Sequence, residues 1–124
     1  MTLVLIAVGG ALGSVTRYLV DGWVLDRVGG TFPFGTLVVN LTGAFVLGVL
    51  SALTIDRSVL PADIRAPVMI GFIGAYTTFS TLMLESWRLV ESGEVVAGTV
   101  NVLGSVGLGI LAVLAGLTVG RLAA

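Results

Sequence analysis

The sequence contains no cysteine, no histidine and no lysine. Without cysteine there is neither a disulfide nor a thiolate metal centre, and without histidine there is no imidazole to bind zinc, shuttle protons or complete a Ser-His-Asp triad. Charge of either sign is scarce, at 10% of residues, and six arginines against seven acids leave a net −1. That balance offers nothing to a polyphosphate backbone and argues against a nucleic-acid partner. No nucleophile–base pair or metal-ligand cluster is visible, so the chain does not read as an enzyme.

What fills the 124 residues instead is apolar: 56% hydrophobic, with a mean hydropathy of +1.13 and 18 glycines against 3 prolines. The apolar residues fall in long runs, each near the roughly 20 residues that cross a bilayer core of about 30 Å. The predicted fold is an all-α membrane protein, one transmembrane domain over residues 1–124. Its four transmembrane helices are expected at about residues 2–20, 34–54, 66–90 and 95–119, the third broken mid-membrane. The first run lacks the basic prefix and small-residue cleavage site of a secretory leader, and is read as a mature helix.

That first run holds Gly9-x-x-x-Gly13, a pattern that lets membrane helices approach closely, and ends with Arg17-Tyr18. Arg17 serves either as an interfacial anchor or as a cation at the mouth of an anion path. A connection is expected from Asp21 to Pro33, with Trp23 and Phe32 at the headgroup level. In the second run Thr36, Asn40 and Gly43 stand at i, i+4 and i+7, a polar and small stripe on one face. Asn40 at that depth is either glue between helices or a donor lining a path.

The third run contains Gly71-Phe72-Ile73-Gly74-Ala75-Tyr76-Thr77-Thr78-Phe79-Ser80-Thr81-Leu82. So many hydroxyls and glycines are unusual in a plain span, and irregular backbone survives at membrane depth only when buried in protein or facing water or an ion. The expectation is two half-helices, one ending near Gly74 and one starting near Thr78, with Thr78, Thr81 and Glu85 on one face and Phe79 and Leu82 on another. Glu85 either reaches the interface, pairs with Arg88 at i+3, or faces the path. In the fourth run Asn101, Ser105, Gly109, Ala112, Gly116 and Gly120 form a stripe that is polar at one end and small throughout. It is either a helix contact face or, at Asn101 and Ser105, a short ladder of donors. With four spans, Arg57, Arg65 and Arg121 fall on the side of the termini and Arg17, Arg27 and Arg88 on the other, so the positive-inside rule sets almost no orientation.

Taken in order, Gly9-Gly10-Ala11-Leu12-Gly13 with Arg17-Tyr18, Phe32-Pro33-Phe34-Gly35-Thr36-Leu37-Val38-Val39-Asn40 with Gly43, Gly71-x-x-Gly74-x-x-Thr77-Thr78-Phe79-Ser80-Thr81 with Glu85, and Ser105 resemble the Fluc (CrcB-type) fluoride channels along nearly the whole chain. The resemblance implies an antiparallel, dual-topology homodimer in the inner (plasma) membrane, with two fluoride pores and passive export of cytoplasmic fluoride that relieves its toxicity. It implies a structural Na⁺ at the dimer centre on the backbone carbonyls of Gly74 and Thr77, and no organic cofactor. Asn40, Phe79 and Ser105 inherit the fluoride path, Arg17 and Thr36 map near its vestibule and the Asn-bearing face, and Thr78, Ser80, Thr81 and Glu85 are further polar positions of the third helix. Asn and hydroxyl groups can replace a small anion's water shell, and a phenyl edge is electropositive.

Two positions depart from the family pattern. Leu82 stands where a second Phe is typical, and Asn101 where some members carry Tyr. Leu82 keeps an apolar lining without the electropositive edge, so the chain is expected either as a homodimeric channel or as one subunit of a heterodimer with a homologous chain. A non-conducting assembly subunit is the remaining alternative. A small multidrug exporter is disfavoured, because the first run has no carboxylate before Asp21.

Overall fold

A computed structural model describes residues 1–123, and every regular element among them is helical. Helix α1 spans Thr2–Val28 and ends where Gly29 turns to φ 65°, its N–H held by the Leu25 carbonyl. The sequence predicts a connection from Asp21, but the helix runs on, because no proline intervenes and Val24, 5% exposed, still finds packing. The charges there leave the apolar zone without leaving the helix. The Arg27 guanidinium lies over the Trp23 ring, 4.2 Å from its centroid, a pairing suited to the headgroup level.

Helix α2, Phe34–Ser51, follows Pro33 and continues into a π-helical turn, Ala52–Asp56. The third span is composite. A short α3, Ala62–Arg65, leads into a π-helical segment, Ala66–Ile73, and then α4, Gly74–Tyr76. Thr77 (φ −80°, ψ 158°) and Thr78 (φ −149°, ψ 118°) are extended, and α5, Phe79–Glu91, resumes the helix. The break therefore falls at Thr77–Thr78, at the far end of the expected interval, while Gly74 is itself helical at φ −61°, ψ −36°. At Gly93, φ 90°, the chain reverses: Gly93 N–H bonds Val90 O at 3.0 Å and Glu94 N–H bonds Leu89 O at 2.8 Å, the paired bonds of a glycine helix stop. Helix α6, Val95–Ala123, completes the fold.

Four stretches, Thr2–Val28, Phe34–Asp56, Ala62–Glu91 and Val95–Ala123, are long and apolar enough to span a bilayer, and the chain is a multi-pass membrane protein. Few side chains are buried inside the chain, as suits a solvent of lipid tails, and backbone approach through small residues holds the helices instead. A Cβ on Gly9 would stand 2.5 Å from the Pro67 carbonyl oxygen, and one on Gly13 would run into Phe72 O, so the Gly9-x-x-x-Gly13 pattern seats α1 on the π-helical segment. Gly48, Gly116 and Gly120 play the same part between α2 and α6, against Val113 O, Phe45 O and Val49 O. At the end of the molecule that carries the termini, Arg121 Nε meets Asp56 Oδ2 at 2.7 Å, Arg57 bonds Arg121 O at 2.6 Å and Arg65 bonds Thr54 O at 3.0 Å.

Candidate ion pathway around the break in the third span

A break leaves a peptide N–H without its helical acceptor, and here the side chain of Asn40 supplies one while also bonding the carbonyl of the same residue. Thr78 N–H donates to Asn40 Oδ1 at 2.7 Å, and Asn40 Nδ2 donates to the Thr78 carbonyl at 3.0 Å. An uninterrupted helix would send the Thr78 N–H to Gly74 O, so the Gly74 carbonyl loses its i+4 donor. Thr78 also caps α5: its hydroxyl accepts from Thr81 N–H at 3.3 Å and donates to Thr81 Oγ1 at 2.9 Å. Gly43, one turn beyond Asn40, has no room for a side chain, since a Cβ would meet Thr77 Cγ2 and stand 3.2 Å from the Tyr76 ring. The Tyr76 hydroxyl pairs with Thr42 Oγ1 at 2.9 Å. The α2 stripe of Thr36, Asn40 and Gly43 thus faces one way, as its spacing predicts, and the structure lays it along the third span.

A groove opens beside the break, bordered by Asn40, Thr78, Phe79, Leu82 and Gly109. Phe79, 75% exposed, stands out from the chain at its edge, whereas Leu82, 7% exposed, forms its floor. The two share this groove although one is presented and the other packed. A second groove, lined by Ala44, Ser105, Gly109 and Val113, continues along α6, and the Ser105 hydroxyl is buried there with no partner in the chain. Asn101 lies one turn from Ser105 but borders neither groove. It is 2% exposed and donates from Nδ2 to Ser86 Oγ at 2.9 Å, while Ser86 donates to Leu82 O at 2.7 Å. Ser86 was not singled out in the sequence, where nothing marks it apart from any other serine on a helix. Ser80 is exposed beside Phe79.

Thr78 also borders a cavity lined by Ser14, Arg17, Tyr18, Asp21, Thr36 and Thr81. Thr36, 3% exposed, donates its hydroxyl to Glu85 Oε1 at 2.9 Å, and Glu85 Oε2 is buried without a partner. Glu85 therefore neither pairs with Arg88 nor projects to the interface; its one hydrogen-bond partner, Thr36, is on α2. The two grooves and the cavity together carry hydroxyl and amide groups, an aromatic ring, an arginine and a carboxylate. Among the described residues no cluster of acids could ligate a metal through side chains.

Comparison with known proteins adds an independent line. A family model described as "CrcB-like protein, Camphor Resistance (CrcB)" matches residues 4–117. A Geobacter metallireducens protein named fluoride-specific ion channel FluC is 47% identical over 106 residues, 86% of this chain and 86% of its own length. Proteins of the same name from Hahella chejuensis and Rhizobium meliloti are 45% and 44% identical, covering 97% and 96% of this chain and 94% and 95% of theirs. With the match running across all four spans and the break, the chain belongs to the CrcB-like family.

Proposed function

We propose that this protein is a fluoride-selective channel subunit that lets cytoplasmic fluoride leave passively through the inner membrane. The observation that carries the reading is the break itself, held open by Asn40 at both Thr78 peptide groups with Phe79 presented at the groove beside it. Fluoride is small and strongly hydrated, so a narrow path must replace its water shell with donors. The second Nδ2 proton of Asn40 and the hydroxyls of Thr81 and Ser105 are of the right chemistry, and an edge-on Phe79 adds an electropositive rim. None of these steps needs ATP or an organic cofactor. Relatives bearing the fluoride-channel name at 44–47% identity over most of the chain support the same substrate.

The family implies a structural Na⁺, and the backbone at the break fits one. Gly74 O has lost its helical donor to Asn40, Thr77 is extended, and carbonyl oxygens are ligands for a hard cation. Gly74, Phe79 and Ser80 are exposed on the face beside the break, which suits burial against a second copy whose carbonyls would complete the shell. Such an ion supplies positive charge between two anion paths.

The test is fluoride efflux from liposomes holding only this purified chain, read with a fluoride electrode beside a chloride control. Fast release of fluoride without chloride is expected. Silence from folded protein that is cured by adding a homologous chain would replace the homodimer with a heterodimer, and silence in both would overturn the channel reading.

A further inference from the structure

Asp21 is a carboxylate at the cavity beside the break, and its setting gives it a function. It borders the cavity that holds Ser14, Arg17 and Thr36, and it also borders a neighbouring cavity that holds Glu85, Arg88 and Glu94. It is the one charged residue common to both. The sole ion pair among the described residues joins Arg121 to Asp56, so neither Arg17, one turn earlier on α1, nor Arg88 neutralises Asp21 by contact. Its position is built rather than incidental. A Cβ on Gly35 would run into Asp21 Oδ1, so the absence of a side chain at Gly35 is what lets the carboxylate rest against the first turn of α2. The amide dipoles at such a helix start favour an incoming anion, and here a fixed anion already holds that ground.

We infer that Asp21 is a conductance-setting charge: it offsets Arg17 and lowers the anion concentration at this mouth of the pathway. The inference rests on the fluoride-channel reading for its consequence but not for its electrostatics. A fixed charge in a low-dielectric cleft changes the local concentration of mobile ions by about tenfold or more at low salt, and the effect falls with screening. The Debye length shrinks from about 30 Å at 0.01 M to about 3 Å at 1 M, so ionic strength separates a field effect from a change of shape.

Two readouts are combined. In liposomes, Asp21→Asn should raise fluoride efflux about threefold or more at about 10 mM ionic strength, converging on the parent rate in about 1 M sodium gluconate. Asp21→Glu, which keeps the charge, should retain the parent's salt dependence. The second readout needs no conduction. The chain has no cysteine, so Ser14→Cys places a single thiol in the cavity. Its modification by an anionic and a cationic methanethiosulfonate gives a rate ratio that reports the local potential. Adding Asp21→Asn should move that ratio about threefold or more toward the anionic reagent at low salt. A ratio that does not move, or an efflux gain that is the same at every ionic strength, overturns the role of Asp21. A parent chain without fluoride efflux overturns the channel reading instead, and the thiol ratio then judges the field of Asp21 by itself.

Discussion

An amide at position 40 does what no single-function polar group could, because it accepts from the Thr78 N–H that the break frees and donates to the carbonyl of the same residue. Asn40→Asp keeps an acceptor for the Thr78 N–H but sets a carboxylate oxygen, in place of a donor, against the Thr78 carbonyl, and an unpaired buried polar group costs about 1–3 kcal/mol. The expected result is fluoride efflux reduced by about tenfold or more, with a lower melting temperature in detergent. Phe79→Ile asks a different question. Because the ring is 75% exposed within the chain, the substitution should leave the melting temperature of the isolated subunit unchanged while slowing efflux. Unchanged efflux in assembled protein would remove the aromatic edge from the mechanism. At Asn101 the reverse pattern is expected: Asn101→Leu should lower stability by about 0.6–2 kcal/mol through the lost bond to Ser86, measured by thermal unfolding. The register of Thr36, Asn40 and Gly43 was legible in the sequence, since a 3.6-residue period is a local property. Their partners were not. Thr78 and Glu85 lie 38 and 49 residues away from Asn40 and Thr36, and Ser86 lies 15 from Asn101, separations at which no periodicity chooses one hydroxyl over another.

At the scale of elements, the glycines of the third span and of α6 do less breaking and more seating than their number suggests. Gly71 and Gly74 stay helical, and Gly71 sits against Ile6 O, where a Cβ would stand at 2.7 Å. The stripe on α6 divides: Gly116 and Gly120 press on α2, whereas Gly109 faces open groove and a Cβ there would touch nothing within 4 Å. Gly116→Val should therefore separate α6 from α2 at a cost of about 1–3 kcal/mol, read as a lowered unfolding temperature. Gly104→Ala, which also meets nothing within 4 Å, should leave that temperature where it is or raise it slightly, because alanine is the better helix former. The length of α1 was the element least legible in the sequence. Hydropathy marks where lipid ends, and a helix can continue past that point as far as the φ 65° glycine that stops it.

Taken whole, the molecule is unfinished on one side. The face carrying Gly74, Phe79 and Ser80 is exposed although the peptide groups behind it are elaborately satisfied, and a membrane-depth carbonyl such as Gly74 O needs a partner that lipid does not provide. Under the proposed function, a second copy at this face with a cation between the carbonyls would answer that need. Ser80→Cys, a lone thiol in a cysteine-free chain, should form a disulfide between copies under mild oxidation. The assembled protein should also melt at a higher temperature in sodium than in choline chloride. A monomeric product, with no difference between the two salts, would separate the break from both assembly and the ion. The sequence points to such an interface only through the family resemblance, because the residues that would complete it belong to another molecule.

The hold of Asn40 on Thr78 also means that the third span stands one side chain away from a straight rod. The Thr78 N–H needs an acceptor, and if Asn40 is withdrawn the nearest helical choice is Gly74 O. In Asn40→Ala we therefore expect the break to heal rather than loosen: helicity by circular dichroism should rise slightly as the Gly74 carbonyl is consumed, and sodium should cease to protect. The opening is then less a property of the third span's own sequence than a shape imposed on it from the neighbouring helix.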